Sequence, residues 1–184
     1  MKIWHLMIGT AAALSLGAAA NATTTVTVDA ITPIGSWLDT GLNLNAGTTY
    51  DFSVNNPATI WSAGSNIPYS RDSTANGIDP VASGYGTLTM DGFTANFGAL
   101  VGEVGPTPGG GAGDTFFLIG TGPISMTGLS GELYVGYWDS NYSDNSGTQS
   151  LSISVPEPAS WALILAGFAG LGAALRSTRR KAYS

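Results

Sequence analysis

The densest run of oxygen-bearing side chains in the sequence is Asp139-Ser140-Asn141-Tyr142-Ser143-Asp144-Asn145. Calcium takes six to eight oxygens at about 2.3–2.6 Å, so closely spaced carboxylates, amides and backbone carbonyls suit it. The run as a whole is the candidate calcium loop. The run is not an EF-hand: Asp144 stands where the turn glycine belongs, and Ser150 where the bidentate Glu belongs. Asp, Asn, Ser and Gly are also ordinary turn formers, so a polar turn between strands is the alternative reading. Trp138 borders the run and is the candidate for an aromatic contact with a ligand.

Absences narrow the chemistry further. The chain has no cysteine, and its one histidine is His5, within the leader. A Ser-His-Asp triad, a Cys-His dyad and zinc sites built on His or Cys are therefore impossible beyond that leader. Carboxylate catalysis is what remains. A glycoside hydrolase needs two carboxyls about 5–9.5 Å apart across a cleft. Glu103 and Glu132 are the only glutamates between residues 23 and 155, and both fall in expected strands. No motif surrounds them, and the reading is not an enzyme.

Charge excludes another class. Arg71 is the only Lys or Arg between residues 23 and 155, against eleven carboxylates, about ten net negative charges. Nucleic-acid binding depends on Lys and Arg neutralising phosphates, so nucleic acid is not a partner.

The elements that must position these groups read as β. Glycine is abundant, turn residues recur at short intervals, and no long stretch shows a 3.6-residue apolar period. The expected strands are 24–30, 48–54, 86–90, 98–104, 115–119, 132–137 and 149–155. In the last, Leu151, Ile153 and Val155 alternate with Ser150, Ser152 and Ser154. Seven or so short strands predict an all-β fold, a single antiparallel jelly-roll-like β-sandwich. Residues 55–80 and 139–148 read as loops, and Pro106 to Gly113 as a flexible glycine-rich connector.

Both ends differ from this middle. Lys2, the apolar stretch from Leu6 to Ala20 and the small residues Ala20 and Ala22 predict a signal peptide over 1–22, cleaved after Ala22. Residues 159–175 are free of charge, followed by Arg176, Arg179, Arg180 and Lys181. At about 1.5 Å per residue that segment spans roughly 25 Å as a transmembrane helix. Its basic end, 176–181, predicts a cytoplasmic tail and an external domain over 23–154.

Pro156-Glu157-Pro158, the hydrophobic segment and the Arg-rich end occur in that order at the C-terminus. Together, 155–184 resembles the PEP-CTERM sorting tail, which implies export and processing by an exosortase-type membrane enzyme. The middle carries a fainter resemblance. Trp37-Leu38-Asp39-Thr40-Gly41-Leu42-Asn43-Leu44 is similar to the opening of the calcium-dependent galactophilic bacterial lectins. Residues 98–105, Phe117-Leu118-Ile119-Gly120, Gly131-Glu132-Leu133-Tyr134-Val135 and Asp144-Asn145-Ser146-Gly147 continue the same order. That resemblance implies a sandwich with a site at one end, where Asp139, Asp144 and Asn145 hold Ca²⁺ and Asp139 and Asn145 meet sugar hydroxyls. Trp61 falls near that family's aromatic carbonyl donor. The loop is shorter than the lectins', an Asp replaces their first Asn, and no histidine is available, so galactose specificity does not carry over.

The resulting expectation is an exported surface or extracellular-matrix protein, membrane-held by its C-terminal helix before processing, binding an extracellular glycan or exopolysaccharide. A structural biofilm-matrix component with no specific site is the alternative.

Overall fold

A computed structural model describes residues 23–34, 36–66, 69–84, 86–111, 113–156, 164–172 and 176. Ala20, Ala22, Glu157 and Pro158 lie outside the described residues, as do the ends of the expected 159–175 helix. Twelve strands occur in chain order: β1 (Thr23–Asp29), β2 (Leu38–Leu44), β3 (Thr49–Val54), β4 (Trp61–Asn66), β5 (Tyr69–Ser73), β6 (Thr87–Met90), β7 (Phe93–Asn96), β8 (Leu100–Gly105), β9 (Thr115–Leu118), β10 (Ile124–Thr127), β11 (Gly131–Tyr137) and β12 (Thr148–Ser154). A single helical turn, α1 (Pro80–Ser83), precedes β6.

The fold is all-β and antiparallel. One four-stranded sheet has the order β1-β12-β3-β10 and the other β2-β11-β8-β9. Alternation builds the first: Leu151 and Ile153 of β12 and Phe52 of β3 are buried, while their Ser neighbours face out. Its outer face is a lattice of short polar side chains, with Thr49 bonded to Thr127 (2.8 Å) and Asn55 Nδ2 donating to Ser150 Oγ (2.7 Å). The inner faces meet in the main core, where Phe52 packs edge-on against Phe117 at 5.3 Å.

The second sheet is packed against apolar side chains on both faces around the C-terminal half of β11. Leu133, Val135 and Tyr137 of β11 enter the main core, and Tyr134 and Trp138 a second one with Trp37, Ala95, Ala99 and Val101. Leu88, Met90 and Phe93 of the β6–β7 hairpin pack against that outer cluster. Two-sided burial removes the alternating signal, since both sets of side chains must be apolar.

The seven expected strands form as β1, β3, β6, β8, β9, β11 and β12, with ends shifted by up to two residues. Five more arise where the pattern is weak. Gly41, at φ 71°, interrupts β2 between Asp39 and Asn43. The expected loop 55–80 contains the polar hairpin β4–β5, whose register shifts between Ser62 and Ser65. β7 and β10 have four residues each, too few to show a period. Residues 164–172 are helical with exposed Ile164, Leu165, Phe168 and Leu171. No helix among the described residues is long and apolar enough to cross a membrane.

Packing around β11 leaves no spare volume. An ideal Cβ on Gly136 would lie 2.3 Å from ring atoms of Trp37, whose ring is held by Trp138 (5.9 Å) and Phe116 (6.1 Å). Gly136→Ala should therefore lose about 1–3 kcal/mol by overpacking. Gly47→Ala, whose Cβ meets only Asn45 Oδ1 at 3.5 Å, should stay within about 0.5 kcal/mol of the parent. Urea unfolding checks both, and equal stability of the two variants would remove the steric account.

Candidate functional site

β11 ends at Tyr137, and the chain then crosses from one sheet to the other through residues 138–147 before entering β12. Backbone bonds tie this crossing to its neighbours. Trp138 N donates to Ala99 O (2.9 Å), and Ala30 N donates to Gly147 O (3.0 Å). Ser62 and Ser146 exchange both bonds, at 2.8 and 3.0 Å. The loop therefore stands on β4 and on the segment after β1, not free in solvent.

Within it, Asp139 is 7 % exposed and its Oδ1 accepts from Asn141 N at 3.1 Å. Burial raises the Asp139 pKa; hydrogen bonds from Asn141, Asn145 and Ser140 oppose the rise, and the nearby Asp144 charge adds to it. Asp144 Oδ1 accepts from Asn141 Nδ2 (2.9 Å), and Arg71 Nη1 reaches Asp144 Oδ2 (3.4 Å) and Ala63 O (3.1 Å). Asn145 is buried and Nδ2 donates to Ala30 O at 3.0 Å, yet its Oδ1 accepts no hydrogen bond among the described residues. A buried amide oxygen without a donor is costly, and a cation is one way to satisfy it.

The three expected ligands, Asp139, Asp144 and Asn145, thus gather on one loop. No group of three or more Asp, Glu, His or Cys side chains placed to hold a metal occurs among the described residues. A cation here would need amide and carbonyl oxygens beside the two carboxylates, which a hard ion accepts. Arg71 and Asp72, supplied by β5, were not legible as neighbours. Asp72, Asp139 and Asp144 all act on the Tyr137 hydroxyl, whose pKa burial pushes up first and these charges further.

The aromatic expectations change. Trp138 is 1 % exposed, its indole donates to Leu88 O (3.0 Å), and its ring packs against Phe93, Phe116 and Trp37. It fills the second core and offers no face for a sugar. Its place after Tyr137 in β11 turns it outward, under the β6–β7 hairpin. Trp61 is equally buried, bonded through Nε1 to Gly98 O at 2.9 Å and set edge-on to Tyr137 at 4.4 Å. Tyr142, 44 % exposed at the apex of the loop, is the aromatic face open to solvent there.

Glu103 and Glu132 both lie on the outer face of the second sheet but in different settings. Glu132 Oε2 accepts from the Tyr134 hydroxyl at 2.7 Å, the main reason the Tyr134 pKa is raised to about 12. It borders an open groove with Asn43, Pro106 and Gly113. Glu103 is fully buried beneath the 106–113 segment, which burial reflects in a raised pKa.

Glu103 and Asp139 hold protons to higher pH when folded than when unfolded. The folded chain then binds more protons across the interval above the ordinary carboxylate range, and stability falls as pH rises through it. With chelator present, the melting temperature should rise as pH drops from 7 toward about 5, and Glu103→Gln should flatten the profile. A melting temperature that falls over that interval would contradict the assignment.

Residues 154–181 match the family described as the PEP-CTERM protein-sorting motif. No curated protein matches the sequence. Among solved structures, the chain is similar to one titled "EclA N-terminal domain; PllA-like lectin", with 18 % identity and a TM-score of 0.46 over 72 % of this chain and 95 % of that one. The chain therefore joins an antiparallel β-sandwich to a PEP-CTERM sorting motif, the mark of export and exosortase processing.

Proposed function

We propose that this is an exported, exosortase-sorted surface or matrix protein whose β-sandwich, residues 23–154, binds carbohydrate through calcium held by the 139–145 loop. The observation that carries the reading is the unsatisfied buried Oδ1 of Asn145 beside the buried Asp139 carboxylate and within one residue of Asp144. Calcium would complete the oxygen shell of these side chains, and vicinal sugar hydroxyls are the oxygen donors that can share it. Tyr142 supplies an exposed ring on which a sugar could stack, the part the sequence suggested for Trp138. The sequence resemblance to calcium-dependent lectins supports the same loop. The Arg71–Asp144 pair favours a second reading: a guanidinium already neutralises one carboxylate, as in a purely structural biofilm-matrix component without a ligand.

The test is retention of the full-length chain on immobilised exopolysaccharide, with calcium and with chelator. Binding should require calcium and be lost in the Asp139→Ala/Asp144→Ala double variant. Calcium-independent retention, or retention by the double variant, would sink the reading. At a hundred times Kd, calcium adds about 2.7 kcal/mol, a melting rise of roughly 8–12 °C for a domain this size. For the sorting tail, mass spectrometry of surface protein should find residues 159–184 missing; an intact C-terminus at the surface would refute processing.

A further inference from the structure

Strand β8 places Glu103 on the outer face of the second sheet, and the chain returning into β9 brings Asp114 alongside it, since Val104 pairs with Thr115. The segment between them folds back over both. Gly109 N donates to Glu103 Oε2 at 2.9 Å and Gly110 N to Oε1 at 2.7 Å. Gly109 and Gly110 have φ of 103° and 88°, a conformation open to glycine that turns both N–H groups downward. The sequence reads this stretch as a loose connector; it is the cover of a buried carboxylate.

Asp114 is the anomaly. Both its oxygens are buried and neither accepts a hydrogen bond among the described residues. They press against glycine: an ideal Cβ on Gly105 would lie 2.2 Å from Oδ1 and one on Gly111 3.0 Å from Oδ2. The charge and side-chain hydrogen bonding of Asp114 act on Glu103 and help to raise the Glu103 pKa, after burial. Two carboxylates in contact and out of water cannot both stay charged without a shared proton or a cation. Between residues 23 and 155 the one Lys or Arg is Arg71, and it is engaged at Ala63 and Asp144. A shared proton would leave one negative charge, and Glu103 accepts N–H at both oxygens, as an ionised group does. A divalent ion cancels both charges.

We propose that Glu103 and Asp114 hold a hard divalent cation, of the calcium type, beneath the 106–113 segment. The donors are all oxygen, with carbonyls of the glycine-rich cover to complete the shell, which selects calcium over softer metals. This site is built on β8 and the entry to β9, whereas the 139–145 loop follows β11, and it does not depend on the carbohydrate reading. Its structural effect is to close the cover against the sheet.

The experiment is isothermal titration of calcium chloride into the chelator-stripped full-length chain at pH 7. The Asp139→Ala/Asp144→Ala double variant removes the other loop from the measurement. It should still bind one calcium, with Kd of about 10⁻⁴–10⁻³ M as in other extracellular modules. Adding Asp114→Asn or Glu103→Gln should weaken that binding at least tenfold, while raising the melting temperature in chelator because a buried charge is gone. No calcium uptake by the double variant at about 10 mM, well above that range, would overturn the proposal, as would unchanged affinity after Asp114→Asn. If Asp114→Asn does not fold, Glu103→Gln decides by the same criteria. Failure of both to fold in chelator would also overturn it, since a cation site without its ion should gain from losing a charge. Loss of glycan binding in the double variant with this calcium retained would separate the two sites.

Discussion

Strand β11 is the constraint on which the molecule depends. It lies between β2 and β8, and its residues alternate between two cores: Leu133, Val135 and Tyr137 inward, Tyr134 and, directly after the strand, Trp138 outward. Gly136 is the gap in that outward row, filled by the Trp37 ring. Burying large side chains on both faces of one strand contributes about twice what a half-exposed strand can. It also fixes direction, because a one-residue slip would exchange the two cores. The 138–147 loop begins where this strand ends, so the candidate ligands start from a strand buried on both faces.

Charge is the second constraint. A domain with eleven carboxylates and one guanidinium keeps most of its acids in water. Asp139 and Glu103 are not in water, and each is met by backbone N–H groups in place of a counter-charge. Such donors stabilise an anion, but they leave its net charge inside the protein. Buried oxygens without hydrogen-bond donors occur beside both buried acids, on Asn145 and on Asp114, as well as on Tyr137 and Gln149. Arg71 pairs with Asp144, which is more exposed than Asp139.

Much of the fold was legible because its signal is local. Strand β12 alternates Leu151 and Ile153 with serines, and β3 alternates Tyr50, Phe52 and Val54 with polar residues; both read as strands from sequence. The tail was legible because Pro156-Glu157-Pro158, a hydrophobic segment and a basic end occur in fixed order. The hairpin β4–β5 was not, since its strands are polar and their register shifts between Ser62 and Ser65, which leaves no period to read. Trp138 was misread because its sequence neighbour is the oxygen-rich loop, while its spatial neighbours are Trp37, Phe93 and Phe116. The 106–113 segment was misread for a related reason: glycine signals freedom in a chain, yet here it permits close approach to Glu103 and Asp114.

An exported domain without cysteine has no disulfide to restrain its unfolded state. Ion binding by the folded form alone stabilises by mass action, with no covalent bond. On the calcium readings proposed above, that contribution scales with the ion concentration around the protein. Weak oxygen sites of the extracellular kind fill at about 10⁻⁴–10⁻³ M calcium. Without the ion, the buried acids at Glu103 and Asp139 oppose folding, as their raised pKa values imply. The same carboxylates would then disfavour the compact state before export and favour it afterwards. An all-apolar pair in those positions would stabilise the sandwich everywhere and lose that dependence on place.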